Sequence, residues 1–307
     1  MSEPGLKSRE PPVGKTWPAQ TYEVGLEKIR EYARAVGEDA AHFRESAAAR
    51  DIGFEDIPAP PVFAAVFCAP AVATVIFDPA VGLFDPAAGI SSYRFVHKRQ
   101  EFWWRRPVIA GDVLTTTASL SAAETLEDGR VGRAFESVTV DINGEEVVRA
   151  RYEGVVPPAR SSRPRRHRSP LPTEPSDPFS RLTITPDRYA PVRYAGASGD
   201  FTPFHLDRAL AQSMGLDGPI LHGLYSFAQL ARAHTRPFGG DPRVLKQLSG
   251  SFKRPAYPER EMDVSVYVRL RNKREMETRA EIVQQADLVI GKARGLIADP
   301  VAGRDIA

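Results

Sequence analysis

Cysteine is nearly absent: Cys68 is the only one in 307 residues. An internal disulfide, a cysteine-based zinc finger and a thiolate cluster are thereby excluded, and a reducing cytoplasm is the default compartment. Neither His97 nor His234 stands in a metal-ligand pattern with a carboxylate or a second histidine, so no metal is expected. A large excess of one charge is also lacking, because the formal net charge is +2, and hydrophobic (42%) and charged (26%) residues sit near the averages of globular proteins. That balance excludes wholesale disorder and a many-spanning membrane protein. Residues 1–18 carry both signs of charge, four prolines and no apolar core segment, which fits a disordered tail and neither a signal peptide nor a transit helix. Long apolar runs are limited to residues 57–77, 21 positions without a charge. Pro70 would interrupt a membrane span there, so the run reads as a helix from about Val62, buried on all sides inside a domain, and no membrane insertion is expected.

What the chain does have is proline, 27 residues of it. One concentration, the Pro- and Arg-rich residues 158–179, has almost no large apolar side chains and reads as a linker. Its four arginines between residues 161 and 170 have no aromatic residues among them, and no nucleic-acid partner is expected. Dividing the chain there exposes an internal repeat. Each half starts with a helix-like stretch running into glycine and an acid, at 26–36 and 187–197. A Pro-bounded apolar helix follows in each, from Ala59-Pro60-Pro61-Val62-Phe63 and from Asp217-Gly218-Pro219-Ile220-Leu221. Strand-like runs come last, at 93–104, 112–120, 133–142 and 146–155 in the first half, and at 244–252, 263–270, 278–283 and 288–297 in the second. Asn143-Gly144 is a strong hairpin signal between two of them. Helices first and antiparallel strands after is an α+β pattern. Up to Arg160 there are 18 basic and 23 acidic residues, and afterwards 23 and 16, so the halves carry −5 and +7.

Chemistry concentrates between Tyr194 and Asp207. Thr202-Pro203 reads as an N-cap with proline at the first helical position, giving a helix to about Met214 that Gly215 ends. A continuous helix would hold Asp200 and His205 about 140° apart; the break at Pro203 lets the loop bring the carboxylate back. A helix N-terminus disfavours the imidazolium, so His205 is expected to be neutral and able to accept a proton. Alone, Asp200 reads as a helix-start acid and His205 as a surface residue, and it is the joint pattern that argues for a site. In Gly218-Pro219-Ile220-Leu221-His222-Gly223 a second helix begins without a capping side chain, leaving N–H groups near Gly223 free to bind an oxyanion. His222 reads first as a buried histidine bonded to backbone.

The run Ser198-Gly199-Asp200-Phe201-Thr202-Pro203-Phe204-His205-Leu206-Asp207, followed by Gly218-Pro219-Ile220-Leu221-His222-Gly223, resembles the MaoC-like (R)-specific enoyl-thioester hydratases and (3R)-hydroxyacyl-thioester dehydratases. The two halves are similar to the double hot-dog members of that family. The resemblance implies two tandem hot-dog units, each an antiparallel sheet wrapped around a central apolar helix, at 19–157 and 180–299, with tails at 1–18 and 300–307. It implies that Asp200 and His205 bind one water and add it to, or remove it from, a β-carbon, with the Gly223 backbone N–H in the oxyanion hole. Thr202 stands where the family has asparagine, and Phe204 where it has a smaller aliphatic; both count as candidate substrate contacts. A serine that assists in some relatives would fall near Ala231, so no such role is assigned. The first half keeps only Gly37-Glu38-Asp39-Ala40-Ala41-His42, without the proline and with no His-Gly after Pro61, and it is expected to be catalytically silent. The small residues of its apolar helix fit an acyl tunnel and a filled core equally well. Lys253 and Arg254 are candidates for meeting a substrate phosphate.

The expected activity is reversible dehydration of a (3R)-3-hydroxyacyl thioester, on acyl carrier protein or coenzyme A, to the trans-2-enoyl thioester. No redox or metal cofactor is required, and a homodimer is compatible with the family. A hot-dog thioesterase and a non-catalytic acyl-thioester-binding subunit are the two other readings.

Overall fold

The computed structural model describes residues 10–83, 95–127, 129–156 and 177–298. Residues 1–9 of the expected N-terminal tail, 157–176 of the expected linker and 299–307 lie outside them. Residues 10–18, expected to belong to a disordered tail, are instead packed on the first half: Thr16 bridges Ser119, the Trp17 backbone N–H donates to the Ala118 carbonyl, and the buried Trp17 side chain donates its Nε1–H to Asp78 at 2.8 Å.

Each half has the same eight elements in the same order. The first comprises β1 (Gln20–Glu23), α1 (Leu26–Val36), α2 (Ser46–Asp51), α3 (Ala65–Ile76), β2 (Val96–Trp104), β3 (Val113–Thr125), β4 (Val131–Val140) and β5 (Glu146–Val156). The second repeats it as β6 (Ser180–Ile184), α4 (Ala190–Ser198), α5 (Arg208–Ser213), α6 (Gly223–Thr235), β7 (Leu245–Phe252), β8 (Met262–Arg271), β9 (Glu275–Gln284) and β10 (Asp287–Ala298). The ten strands form one sheet in the order β1-β3-β4-β5-β2-β7-β10-β9-β8-β6, antiparallel throughout. Its sequence of strands is symmetric about the β2–β7 junction, where residues from Arg99↔Ser251 to Trp103↔Gln247 pair. This is an α+β, double hot-dog architecture.

The local chemistry explains the elements. In α1, Ile29, Tyr32, Ala33 and Val36 recur at helical spacing and are buried, and Gly37 ends the helix at φ 72°, donating its N–H back to Arg34. Asn143-Gly144 turns the β4–β5 hairpin as expected, with Gly144 at φ 80° and the Asp141 carboxylate accepting from the N–H groups of Asn143 and Glu145. The strands β1 and β6 were not expected; each is four or five residues long, too short for an alternation pattern to register, and they close the two edges of the sheet.

Two expectations for the apolar run at 57–77 need correction. It begins as a 3-10 turn, Pro61–Ala64, before α3, and Pro70 lies inside that helix without ending it. Nor is the helix buried on all sides, because Pro70, Thr74 and Phe77 are exposed along one face. The opposite face, with Val66, Phe67, Cys68, Ala71, Val72 and Val75, packs into the core, so tertiary burial rather than an unbroken hydrogen-bond ladder holds the helix. Burial pushes the Cys68 thiol up to about 11, leaving it protonated and inert. No helix among the described residues is long and apolar enough to cross a membrane.

The halves also meet through their helices. Tyr32 of α1 and Tyr194 of α4, each five residues before the glycine that ends its helix, are fully buried with ring centroids 5.9 Å apart. From α6, Gln229 and Arg232 both donate to the Val36 carbonyl, at 3.1 Å each, and the Arg232 Nε lies 3.8 Å from Glu38. His42 bonds the Gly240 carbonyl of the other half at 3.2 Å.

Burial raises the Glu38 carboxyl from 4.5 to about 7, outweighing the nearby Arg232 guanidinium. The folded state therefore binds this proton more tightly than the unfolded chain does. Its stabilising contribution is fully present below about pH 4.5 and is lost as pH rises through about 7, for a total of about 3 kcal/mol. Urea unfolding of wild type and Glu38→Gln between pH 5 and pH 8 should show the variant losing less stability than wild type; parallel curves would contradict this assignment.

Candidate active site

The loop after α4 is shaped by Asp200 itself. Gly199 leaves α4 in the left-handed region at φ 78°, and the Asp200 Oδ1 then accepts from the Thr202 N–H at 3.1 Å and from the Thr202 hydroxyl at 2.6 Å. Thr202 therefore does not cap a helix, as its sequence position suggested; its hydroxyl holds the acid. The helix expected from 203 to 214 is also two pieces. Pro203–His205 is a single 3-10 turn, Leu206 and Asp207 leave helical geometry, and α5 starts afresh with Asp207 as N-cap, its carboxylate accepting from the Leu210 N–H at 3.0 Å. Asp207 takes the capping position because the Thr202 hydroxyl is already committed to Asp200. Gly215 terminates the segment at φ 83°.

This break buries His205 and points its Nδ1–H at the Ile220 carbonyl, 2.8 Å away, so the other ring nitrogen is the unprotonated one. Ile220 precedes α6, and the same segment supplies His222. The His222 ring stacks on His205 with centroids 3.7 Å apart and planes inclined by 23°, and its Nε2–H donates to the Asp200 carbonyl at 2.9 Å. His222 is thus bonded to backbone, as expected, and it also forms the floor of the site. The ligand atoms of Asp200, His205 and His222 all lie within 4.8 Å of one another. In two stacked, nearly parallel rings the in-plane lone pairs run side by side instead of converging, so the trio suits a shared water or proton better than a metal ion.

The electrostatics follow from burial. His205 is pushed well below the usual histidine range, first by burial and then by the adjacent His222, and His222 is lowered by burial too. The expected neutrality of His205 therefore has a different cause: no helix dipole is involved, since His205 sits in a 3-10 turn outside any α-helix. Burial acts against ionisation of Asp200, but His222, the Thr202 hydroxyl and His205 together hold its carboxyl below the ordinary value. At neutral pH the pair is a carboxylate beside a neutral imidazole.

Gly223 opens α6 with no side chain capping the first turn. A Cβ at this position would lie 3.1 Å from the Phe252 ring, so glycine is what lets that ring pack against the start of α6. Phe204 flanks His205 with ring centroids 4.4 Å apart. Lys253 and Arg254 follow β7; Lys253 is exposed, and both N–H groups donate to the Val289 carbonyl. Burial and the neighbouring Lys292 and Arg99 lower the Lys253 ammonium. The corresponding residues of the first half do not form such a site: Glu38 faces Arg232, His42 is committed to Gly240, and Pro61 stands without a His-Gly. His97, on β2 of the first half, which the sequence offered only as a histidine without a metal-ligand pattern, lies close enough to Asp200 to feel its charge.

Residues 12–149 match the model of the FAS1-like dehydratase domain region, and residues 167–289 match the MaoC-like domain. The chain thus joins a FAS1-like dehydratase region to a MaoC-like domain. A UPF0336 protein of Streptomyces griseus is 39% identical over 134 residues, which is 43% of this chain and 79% of the relative. One from Clavibacter michiganensis is 40% identical over 138 residues, 45% of this chain and 87% of the relative. Among solved structures, a MaoC-like dehydratase is similar with a TM-score of 0.77 at 21% identity, covering 93% of this chain and 98% of the other. A Mycobacterium tuberculosis protein described as having a double hotdog fold gives 0.63 at 12%, over 93% and 96%. These structural likenesses concern the fold.

Replacing Thr202 by valine removes the hydroxyl donor to Asp200. The Asp200 carboxyl should then titrate at higher pH, read from its carbon-13 shift, and the acid limb of any activity that needs the carboxylate should move up with it. An unchanged titration would show that Thr202 does not hold the acid.

Proposed function

We propose that this MaoC-like protein catalyses the reversible dehydration of (3R)-3-hydroxyacyl thioesters to trans-2-enoyl thioesters. The observation that carries this reading is geometric: Asp200 and His205 offer atoms within 4.8 Å of one another, against the segment that opens α6 at Gly223 without a capping side chain.

In the hydration direction a water held between Asp200 and the free nitrogen of His205 attacks C3 of the enoyl thioester. One of its protons passes to the dyad as the C3–O bond forms, and the π electrons move onto the thioester oxygen. The Gly223 N–H stabilises that enolate, and the dyad returns the proton to C2. Atoms and charge balance with a single water, and the dyad ends as it began. Dehydration is the reverse. Two properties of the site favour this cycle: the buried imidazole is unprotonated at rest, so it can accept, and an imidazolium formed beside His222 is a strong acid that gives the proton back readily.

Thr202 serves this reaction by holding Asp200, and Phe204 narrows the space beside His205. Lys253 and Arg254 meet the phosphate of the thioester arm. The +7 charge of the second half suits an acidic acyl carrier protein as well as coenzyme A. The first half is catalytically silent and shapes the acyl-binding side through α3. A cytoplasmic location accords with the single reduced cysteine.

Crotonyl-CoA and longer enoyl-CoA substrates test this directly. Loss of enoyl absorbance without release of free thiol is expected, and Asp200→Asn and His205→Ala should each lower kcat/KM by roughly 10²- to 10⁴-fold. Thiol release would point to a thioesterase, and tight binding with no turnover to an acyl-binding subunit. Lys253→Glu should weaken binding of acyl carrier protein and flatten its dependence on salt; an identical salt slope would remove Lys253 from that contact.

A further inference from the structure

The first half reaches into the active site of the second. At the centre of the sheet β2 lies between β5 and β7, and its pairing with β5 slips between His97↔Gly154 and Arg99↔Glu153, leaving Lys98 as an extra residue. Strand residues alternate faces, so without this bulge His97 would point away from the side that Gln100, Phe102 and Trp104 bury. The bulge turns His97 inward. Its ring stacks on Tyr152 of its own half, with centroids 5.6 Å apart, and packs at 4.7 Å against Phe252 of the other half. Phe252 is the ring that fills the space a side chain at Gly223 would need. His97 thus stands one ring away from the oxyanion glycine and close enough to Asp200 to feel its charge.

Its hydrogen bonding fixes what it can offer. The Nε2 lies 3.0 Å from the Arg99 carbonyl, which can only accept, so Nε2 carries the proton and Nδ1 presents a bare lone pair with no partner among the described residues. Burial pushes the imidazole down to about 4, so it stays neutral and remains an acceptor at neutral pH. A neutral acceptor in this place suits an N–H donor on the substrate. With the thioester oxygen at Gly223, the amide nitrogen of a pantetheine arm is four bonds from the carbonyl carbon, a length comparable with the one-ring separation of His97 from Gly223.

We propose that His97 is a substrate-binding residue supplied by the first half, its Nδ1 accepting a hydrogen bond from the sulfur-proximal amide N–H of a pantetheine thioester held at Gly223. The proposal rests on the reading of Gly223 as the oxyanion donor for a thioester. It gives the silent half a direct part in recognising substrate.

Equilibrium binding of butyryl-CoA, which cannot react, separates recognition from catalysis. His97→Phe keeps a ring between Tyr152 and Phe252 but lacks the acceptor, and it should weaken butyryl-CoA binding about 3- to 10-fold, the range of one neutral hydrogen bond. His97→Gln, which offers a side-chain carbonyl, should recover most of this loss. S-ethyl thiobutyrate, a thioester without the amide, should bind wild type and His97→Phe equally. The proposal is overturned if wild type does not bind butyryl-CoA, if His97→Phe binds it as wild type does, if His97→Gln is as weak as His97→Phe, or if S-ethyl thiobutyrate suffers the same loss. Wild type that binds butyryl-CoA in this pattern yet fails to hydrate crotonyl-CoA would sink the catalytic reading and leave His97 in its role.

Discussion

The pairing of β2 with β7 is the constraint on which the rest of the molecule depends. It turns two half-sheets into one, and by doing so it sets α1 against α4 and brings α6 of the second half onto the end of α1. Neither half alone would cover Tyr32, Tyr194 or Phe63, whose rings form a continuous buried series with centroid spacings of 5.5 and 5.9 Å. Aromatic side chains of that size dominate the burial energy of a core. The junction also carries the functional asymmetry. The loop and helix start that in one half assemble Asp200, His205 and His222 are, in the other, spent on Glu38–Arg232 and His42–Gly240 contacts between the halves.

Within the site, burial and hydrogen bonding divide the work. A carboxylate and an imidazole placed together in water would titrate near their ordinary values and exchange protons with solvent. Here the imidazole is desolvated against a second imidazole and kept neutral, while the carboxylate keeps its charge with the help of the two donors of Thr202, its backbone N–H and its hydroxyl. His222 links the two by stacking on one and bonding the backbone of the other. A single displacement of that ring would disturb both members of the dyad.

Much of this was legible in the sequence, and the limits have physical causes. The repeat was visible because both halves keep the order of helix, Gly-acid loop, Pro-bounded helix and alternating strands. Asp200 and His205 were legible because Pro203 forces a break between them. The details of that break were not: Thr202 and Asp207 are both capping residues, and only the tertiary position of Asp200 decides that Thr202 bonds the acid while Asp207 starts α5. Pro70 was misleading because packing can hold a helix through a missing hydrogen bond when the proline faces outward. The inward placement of His97 was not legible, since it depends on a one-residue bulge that alternation patterns do not reveal.

The most direct test of the dyad is the stereochemical course of hydration in deuterium oxide. If Asp200 and His205 hold one water and return its proton on the same face, crotonyl-CoA should give (3R)-3-hydroxybutyryl-CoA with a single deuterium at C2, added syn to the new hydroxyl. A (3S) product, anti addition, or recovery of free coenzyme A in place of the hydroxyacyl thioester would contradict that chemistry.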